Sequence, residues 1–519
     1  MATPSEKLAE ALTALQALQD KNVVAIYTYE ISNTFRKRLV DNGFLKEVVR
    51  GWYIPAGPDE QRGDTTSWYS SYWEFCARYL TTRYENNWII SADQSLLLHA
   101  GNTSVPTQLM VRSPEATNFQ TELLFNTSIF HMRGALPENP IVNGQGIRLY
   151  SLPSALVYCS QAIFTHNPTE ARTALAMIAD ASDVLAILLN GGHSTIAGRL
   201  CGAFRNIGRD KVADDISKAM KAAMYEIRLA DPFETKVNVQ LSFRDRSPYA
   251  NRLRLLWQSM RAQMVGIFPA APGIPADKIK YLQNVEELYV TDAYHSLSIE
   301  RYRVTPELIE GVRTGQWNSK EHEEDRRQKD AMAARGYWQA FQQVKKTISK
   351  ILDGGNAGKA AGDEHQDWYR QLFAPSVAAG ILRPGDLAGY RTHQVYIGGS
   401  KHVPLNVDAV RDTMPLLFEL LENEEDAAVR AVLGHFIFVN IHPYMDGNGR
   451  MGRFLMNVML ASGGYPWTVI PVEKRNEYME SLETASVEGD IRPFASFLAG
   501  LVRSNLEGHP ATPIIVAKS

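Results

Sequence analysis

His442-Pro443-Tyr444-Met445-Asp446-Gly447-Asn448-Gly449-Arg450-Met451-Gly452-Arg453 brings an imidazole, a carboxylate, a glycine-rich turn and two guanidinium groups into one short stretch. Its flanks place it between two helices. Upstream, Val429, Val432, Leu433 and Phe436 recur at i, i+3, i+4 and i+7, which predicts a helix ending near Ile441. Downstream, the apolar run Phe454 to Leu460 predicts a second helix, stopped by Gly463-Gly464 before Pro466. Gly447-Asn448-Gly449 then lie at a helix N-terminus, able to take positive φ and aim successive N–H groups at one point. The free N–H groups and the macrodipole there favour an anion. Arg450 and Arg453, at i and i+3, share a helix face and can clamp one polyphosphate. These are the parts needed to hold a metal-nucleotide and to direct a nucleophile at one of its phosphates.

The stretch resembles the signature of the Fic family, His-Pro-Phe-x-Asp/Glu-Gly-Asn-Gly-Arg-x-x-Arg, with Tyr444 where Phe is usual. Tyr keeps the packing ring and adds a hydroxyl that needs a partner or water. The resemblance implies a mainly α fold, a Fic-type helical bundle with a β-hairpin flap. It also implies transfer of AMP from ATP to a Ser, Thr or Tyr hydroxyl of a target protein, or of the chain itself. By position it implies His442 as general base, a role suited to a side chain that titrates near working pH. Asp446 would hold Mg²⁺, a hard cation that takes oxygen ligands and substrate phosphates. Gly447, Asn448 and Gly449 would form the anion hole, and Arg450 with Arg453 would bind the β- and γ-phosphates. Gly449 stands where some members carry Lys, which implies AMP transfer over kinase-like activity.

Gly389-Tyr390-Arg391, followed by two short runs around Gly398-Gly399, resembles the family's flap. Val395, Tyr396, Ile397 and Pro404 are then expected to dock a target segment by strand addition on a hairpin. Tyr478 and Asp490 fall in an expected closing helix pair with structural roles. Two stretches resemble the inhibitory pattern Ser/Thr-x-x-x-Glu-Gly/Asn, whose Glu pairs with the second motif Arg. Thr484 to Gly489 lies where the family has that closing helix, so Ser296 and Glu300, upstream of the core, are the expected inhibitory pair. Four apart, they face one side of a helix. Arg301 stands where Gly or Asn is usual.

The N-terminal part has a different pattern. Leu8, Leu12, Leu15 and Leu18 predict one helix, and Ser32-Asn33-Thr34 caps a second through Phe35, Leu39 and Val40, closed at Asn42-Gly43. Phe44 to Pro55 reads as two strands turning near Gly51. That order is a winged helix-turn-helix over 1–60, where Arg36, Lys37, Arg38, Lys46 and Arg50 outnumber Asp41 and Glu47. DNA is one candidate partner of Arg36, Lys37 and Arg38; docking on protein is the other. A rival reading of the whole chain is therefore a DNA-binding regulator, or antitoxin-like protein, whose Fic core senses nucleotide. Residues 61–235 mix β-like runs at 88–90, 108–111 and 147–150 with helical spacing from 153 to 231, an α/β region. Arg50-Gly51-Trp52-Tyr53 together with Ser91 to His99 resembles the antitoxin-type domains of abortive-infection systems, which implies a regulatory role. Pro269, Pro272 and Pro275 predict a linker over 236–278, ahead of the Fic domain with its upstream inhibitory helix at 279–505. The charged run Lys320 to Asp330 reads as a solvated helix or loop. Gly354 to Ala360 reads as a flexible loop, since a phosphate loop's first Gly and final Ser/Thr are missing.

At 519 residues the chain is expected to hold roughly three or four domains. Its 45% hydrophobic and 21% charged content is that of a soluble globular protein. A net charge of −3 supplies no global attraction to nucleic acid or anionic membrane. Cys76, Cys159 and Cys201 lack metal-ligand spacing and read as reduced thiols. With no signal-like N-terminus and no long apolar run, a cytoplasmic protein without membrane association is expected, its oligomeric state open.

Overall fold

The structure, a computed structural model, describes residues 3–58, 60, 65–236, 241, 248–315 and 325–509. Two compact units divide it: residues 1–255 with 396–403, and residues 256–395 with 404–519.

The first unit opens with the helices Pro4–Gln19 and Asn33–Asp41, capped by Thr3 and Ser32 side chains. Strands Leu45–Val49 and Trp52–Pro55 pair antiparallel, as expected from the turn at Gly51, and Ile26–Tyr27 adds a third strand on the outer side of Trp52–Pro55. Ala11, Leu15, Ile26, Leu39 and Leu45 form their small core. The helix Thr66–Tyr84 then buries Trp68, Tyr72, Trp73 and Phe75 against a four-stranded sheet. Its order is Ile89–Ile90, Gln108–Ser113, Ser128–Arg133, Phe119–Glu122, with the central pair parallel. Two of these strands escaped the sequence reading. Phe119–Glu122 is a half-exposed edge, and Ser128–Arg133 buries polar residues on both faces, Ser128 on one and His131 on the other, which blurs the apolar signal. Short helices from Leu152–Tyr158 to Asp210–Ala222 complete the unit.

The second unit is helical, consistent with the mainly α expectation. At its centre the helices Ala427–Ile441 and Asn448–Ala461 are buried almost all round, the first because it is largely apolar, the second with Asn448, Arg450, Arg453 and Asn457 among its buried residues. Tyr289–Ile299, Asp325–Leu352, Ala357–Ala378, Val407–Asn423 and the closing pair Arg475–Glu488 and Arg492–Leu506 belong to the same unit. Tyr478 is buried and bonds its hydroxyl to His435 Nε2 at 2.7 Å; Asp490 sits in the turn and pairs with Arg492.

Three expectations change. The proposed linker is largely ordered: 248–263 is helical, and its continuation is bonded to the second unit through Gly273 N–H to Gly463 O at 2.9 Å and Tyr465 Oη to Pro269 O at 2.7 Å. Prolines without N–H groups suited that extended path as well as a free one. Residues 237–240 and 242–247 of the expected linker lie outside the described residues. The loop at Gly354 is a tight helix–helix turn in which Asn356 caps Ala357–Ala378. The flap runs carry no β-ladder; only a turn at Gly398-Gly399 closes them, with Ser400 N–H on Ile397 O at 3.1 Å. Of the charged run, residues 320–324 lie outside the described residues, and the helix Asp325–Leu352 takes up the rest. Cys76, Cys159 and Cys201 are buried free thiols. Among the described residues no single helix is long and apolar enough to cross a membrane.

Candidate active site

The motif loop joins the two central helices. His442 caps the first in the left-handed region, φ 55° and ψ 61°, and Gly447 precedes the second at φ 81°. For an L side chain such as His that conformation costs about 1–2 kcal/mol, so packing has to hold it. Asn448 supplies much of the hold. Its Oδ1 accepts from Tyr444 N–H at 2.9 Å and its Nδ2 donates to Tyr444 O at 2.8 Å, closing the loop as a strand partner would. The Tyr444 ring stacks on Tyr369 with centroids 3.7 Å apart, and its added hydroxyl is buried without a hydrogen-bond partner among the described residues.

The backbone conformation expected of the glycine-rich run changes in part. The Asn448 side chain is spent on the loop, and only Gly447 of the Gly-Asn-Gly run has positive φ. Asn448 and Gly449 are already helical, so what they direct outward is backbone N–H from the first helical turn, which has no intrahelical acceptor. Gly447 has a second constraint: a Cβ there would lie 2.8 Å from Phe373 Cε2.

His442 Nδ1 is 3.2 Å from Val439 O. Since a carbonyl only accepts, that bond assigns the proton to Nδ1 and leaves Nε2 with its lone pair. Burial, the largest influence, pushes the His442 pKa down to about 4. The ring is therefore neutral, able to take a proton, throughout the neutral range. Asp446 is exposed, its side chain 66% accessible, with Oδ1 accepting from Gly447 N–H at 2.6 Å and Oδ2 at 3.3 Å from Arg450 Nη2. Among the described residues no cluster of three or more metal-ligating side chains occurs. One exposed carboxylate fits a cation that completes its shell with water and substrate phosphates.

Arg450 lies between two rings, its Cζ 5.1 Å from the centroids of both Tyr302 and Phe373. A cavity of about 1090 Å³ opens here, lined by Tyr302, Tyr369, Phe373, Met445, Asp446 and Arg450. Arg453, 3% exposed, is held from the other side: Nε donates to Ser296 Oγ at 2.8 Å, and Nη2 to Ser296 O at 3.0 Å and Glu300 Oε1 at 2.8 Å. Arg450 Nε and Arg453 Nη1 are buried donors without a partner among the described residues. Burial raises the Glu300 carboxyl, but Arg453 and Arg450 outweigh it and hold it below its ordinary value. A lowered carboxylate pKa means that this ion pair is intact above the usual Glu range and lost only as pH falls below it. Glu300 stands over Gly449, where a Cβ would be 2.2 Å from Oε1.

Glu300 is the C-cap of the helix Tyr289–Ile299, and Arg301 follows at φ 66°. Tyr302 N–H bonds to Leu297 O at 3.1 Å and Arg301 N–H to Ser298 O at 2.9 Å, a Schellman pattern with Arg at the position glycine usually takes. That explains the Gly or Asn of the inhibitory pattern. Arg301→Gly removes the left-handed strain of that cap and is expected to stabilise the folded chain by up to about 1 kcal/mol. Urea unfolding is the check; a loss of stability would show that the Arg301 side chain itself supports the cap.

Arg391 is the residue the sequence reading quoted without a role. Buried at 2% exposure, it donates Nε to His442 O at 2.9 Å and Nη1 to His393 O at 3.1 Å, and Nη2 reaches Leu405 O. Its N–H bonds Pro443 O at 2.8 Å. With Gln394 Nε2 on Pro404 O at 2.8 Å, it joins the flap arms by side-chain bonds where a β-ladder was expected, and ties them to the His442 backbone. Burial draws the Arg391 pKa down to about 10, so the charge persists. Tyr302, Tyr369 and Phe373 carried no sequence signal beyond ordinary core aromatics. Of the expected flap residues, Tyr396 and Ile397 fall in the first unit, Val395 and Pro404 in the second. Of the basic triad, Arg36 is bound to Thr28 O at 2.9 Å and Asn33 Oδ1 at 2.7 Å, and Arg38 to Lys7 O at 2.6 Å. Lys37 is exposed.

Residues 363–460 match the model of the Fic/DOC family. Protein adenylyltransferase Fic of Drosophila yakuba is 39% identical over 132 residues, 25% of this chain and 26% of that protein. The Drosophila virilis protein of the same name is 38% identical over 132 residues, 25% and 27% of the two chains. The chain thus spans about a quarter of the length of these curated relatives. Among solved structures, residues 134–508 of Fic-1 from C. elegans align at 19% identity and a TM-score of 0.38, covering 67% of this chain and 98% of that one. A Fic family protein from Desulfovibrio desulfuricans G20 aligns at 19% identity and 0.33, covering 52% and 78%.

Proposed function

We propose that the region of residues 363–460, which matches the Fic/DOC family model, transfers AMP from ATP to a hydroxyl side chain of a target protein, restrained by Glu300. The observation that carries the reading is the neutral His442 with its Nε2 lone pair, in a loop that leads into a helix whose Arg450 Nε and Arg453 Nη1 have no partner among the described residues. In this reading the acceptor hydroxyl gives its proton to His442 Nε2 as its oxygen bonds to the α-phosphorus of ATP. The bond to the bridging oxygen breaks, and pyrophosphate leaves. The first N–H groups of Asn448–Ala461 face the charge developing on the α-phosphate, and Arg450 and Arg453 neutralise the leaving phosphates. Asp446 would hold Mg²⁺, which supplies charge neutralisation between the phosphates. Gly449 lacks the amine that would anchor the nucleotide reversed.

Restraint follows from Arg453, which cannot serve Glu300 and a γ-phosphate at once. Arg391 holds the His442 carbonyl still while the flap presents a target segment. The geometry gives DNA recognition little support: two of its three candidate cations are engaged within their own module.

The test uses Glu300→Gly with ATP labelled at either the α- or the γ-phosphate. Mg²⁺-dependent label on protein from the α-position alone supports AMP transfer; label from the γ-position, or none, overturns it. In the same background Arg453→Ala is expected to raise the ATP concentration at half-saturation about 30-fold, the ~2 kcal/mol of a charge-assisted hydrogen bond. Unchanged ATP dependence would remove Arg453 from the phosphate site.

A further inference from the structure

The flap segment Tyr396–Val403 belongs by its contacts to the N-terminal unit. Within that unit the loop Thr103–Val105 lies along it. Val105 N–H donates to Lys401 O at 3.0 Å, and Thr103 Oγ1 donates to Val403 O at 3.1 Å. Position 105 thus meets 401 and position 103 meets 403, so the two segments run antiparallel, one contact backbone to backbone and the other from the Thr103 hydroxyl. The two accepting carbonyls are two residues apart, as they are along one edge of a strand.

The loop is firmly held. Trp73 Nε1 donates to Thr103 O at 2.9 Å, Ser104 N–H bonds Asn102 Oδ1 at 3.1 Å, and Asn102 Nδ2 reaches Glu170 Oε1 at 3.1 Å. Val105, 2% exposed, and Val403, 7% exposed, are buried in the aromatic cluster of Trp52, Trp68 and Trp73. The opposite edge of the same flap arm is also spent. His402 N–H bonds Ser400 Oγ at 3.0 Å, Pro404 has no N–H to offer, and Pro404 O accepts Gln394 Nε2 at 2.8 Å.

We propose that Thr103–Val105 acts as an intrachain stand-in for the target, occupying the flap edge on which an extended target segment pairs. This rests on the reading of the flap as the target-docking element. Strand addition requires a row of unpaired backbone groups, and here the Lys401 and Val403 carbonyls are already paired. A target therefore gains the edge only when the loop withdraws. The N-terminal unit gates the acceptor in this way, independently of Glu300, which gates the nucleotide. Release of both contacts is needed for full transfer.

A reversible lock tests this. Ser104 and His402 are the central, opposed positions of the register. Ser104→Cys with His402→Cys, made in the Glu300→Gly chain, is oxidised or kept reduced. Label from α-labelled ATP on cell-lysate proteins is then compared with pyrophosphate release to water, which reports the nucleotide site alone. The expected result is a disulfide that forms on oxidation, lysate labelling lowered at least fivefold, pyrophosphate release altered less than twofold, and recovery of labelling with thiol. As a second arm, Thr103→Val deletes one bond while keeping side-chain shape and is expected to raise labelling without shifting the ATP dependence. Failure of the two cysteines to join overturns the register. A disulfide that leaves labelling unchanged, or Thr103→Val labelling at the parent rate, overturns the gate. Absence of label on any protein with the reduced chain, despite pyrophosphate release, defeats the protein-acceptor reading on which the gate depends.

Discussion

His442→Ala is expected to lower AMP transfer by about 10²–10⁴-fold, the range over which a positioned base acts, with ATP affinity nearly unchanged. The imidazole contributes to the chemical step and little to ground-state binding, so the loss belongs in kcat. Transfer assays with labelled ATP, alongside nucleotide titration, check both halves. Retention of more than a few per cent of the rate would mean that another group takes the proton. The pH profile is a separate test of the same residue. Because burial lowers the His442 pKa to about 4, kcat/KM is expected to be flat through pH 6–7 and to fall only as acidity approaches that value. An acid limb centred near the ordinary imidazole pKa, about 6.5, would show that His442 is solvated in the working enzyme.

The second large effect runs upward. Glu300→Gly is expected to raise AMP transfer about 100-fold, because about 2.7 kcal/mol of preference for the closed contact suffices for that factor. The Glu300–Arg453 bond is of a kind that can supply it. Arg453 is 3% exposed and the Glu300 side chain 30% exposed, so solvent screens the pair only in part. The comparison residue is Glu488, which the sequence pattern also offered. It is exposed at the end of Arg475–Glu488, so Glu488→Gly is expected to change transfer by less than twofold. Equal rates for Glu300→Gly and the parent chain, under saturating ATP and Mg²⁺, would remove the inhibitory role.

Local sequence determined the elements whose causes are local. The stop at Ile441, the helix start after Gly447, the cap at Ser32, and the strands about Gly51 follow from apolar spacing and from residues that satisfy neighbouring backbone groups. The motif's residue types supplied an imidazole, a carboxylate and two guanidiniums, and the spacing of Ser296 and Glu300 put both on one side of a helix, from which both reach Arg453. What needed the tertiary structure is the allocation of each group's hydrogen bonds. Sequence shows that Asn448 carries an amide; only the folded loop shows that amide spent on Tyr444 rather than on a ligand. Arg391 read as part of a flap hairpin, yet a buried guanidinium with several donors replaces the ladder, because Pro404 and the glycines cannot complete one. Arg301 read only as a departure from the Gly or Asn of the inhibitory pattern; the structure locates its cost in one left-handed cap. The occupied flap edge was invisible, since Thr103 and Val403 are remote in sequence. Periodicity and capping are decided within a turn or two of the chain, whereas a donor's partner is decided by which distant acceptor packing brings within reach.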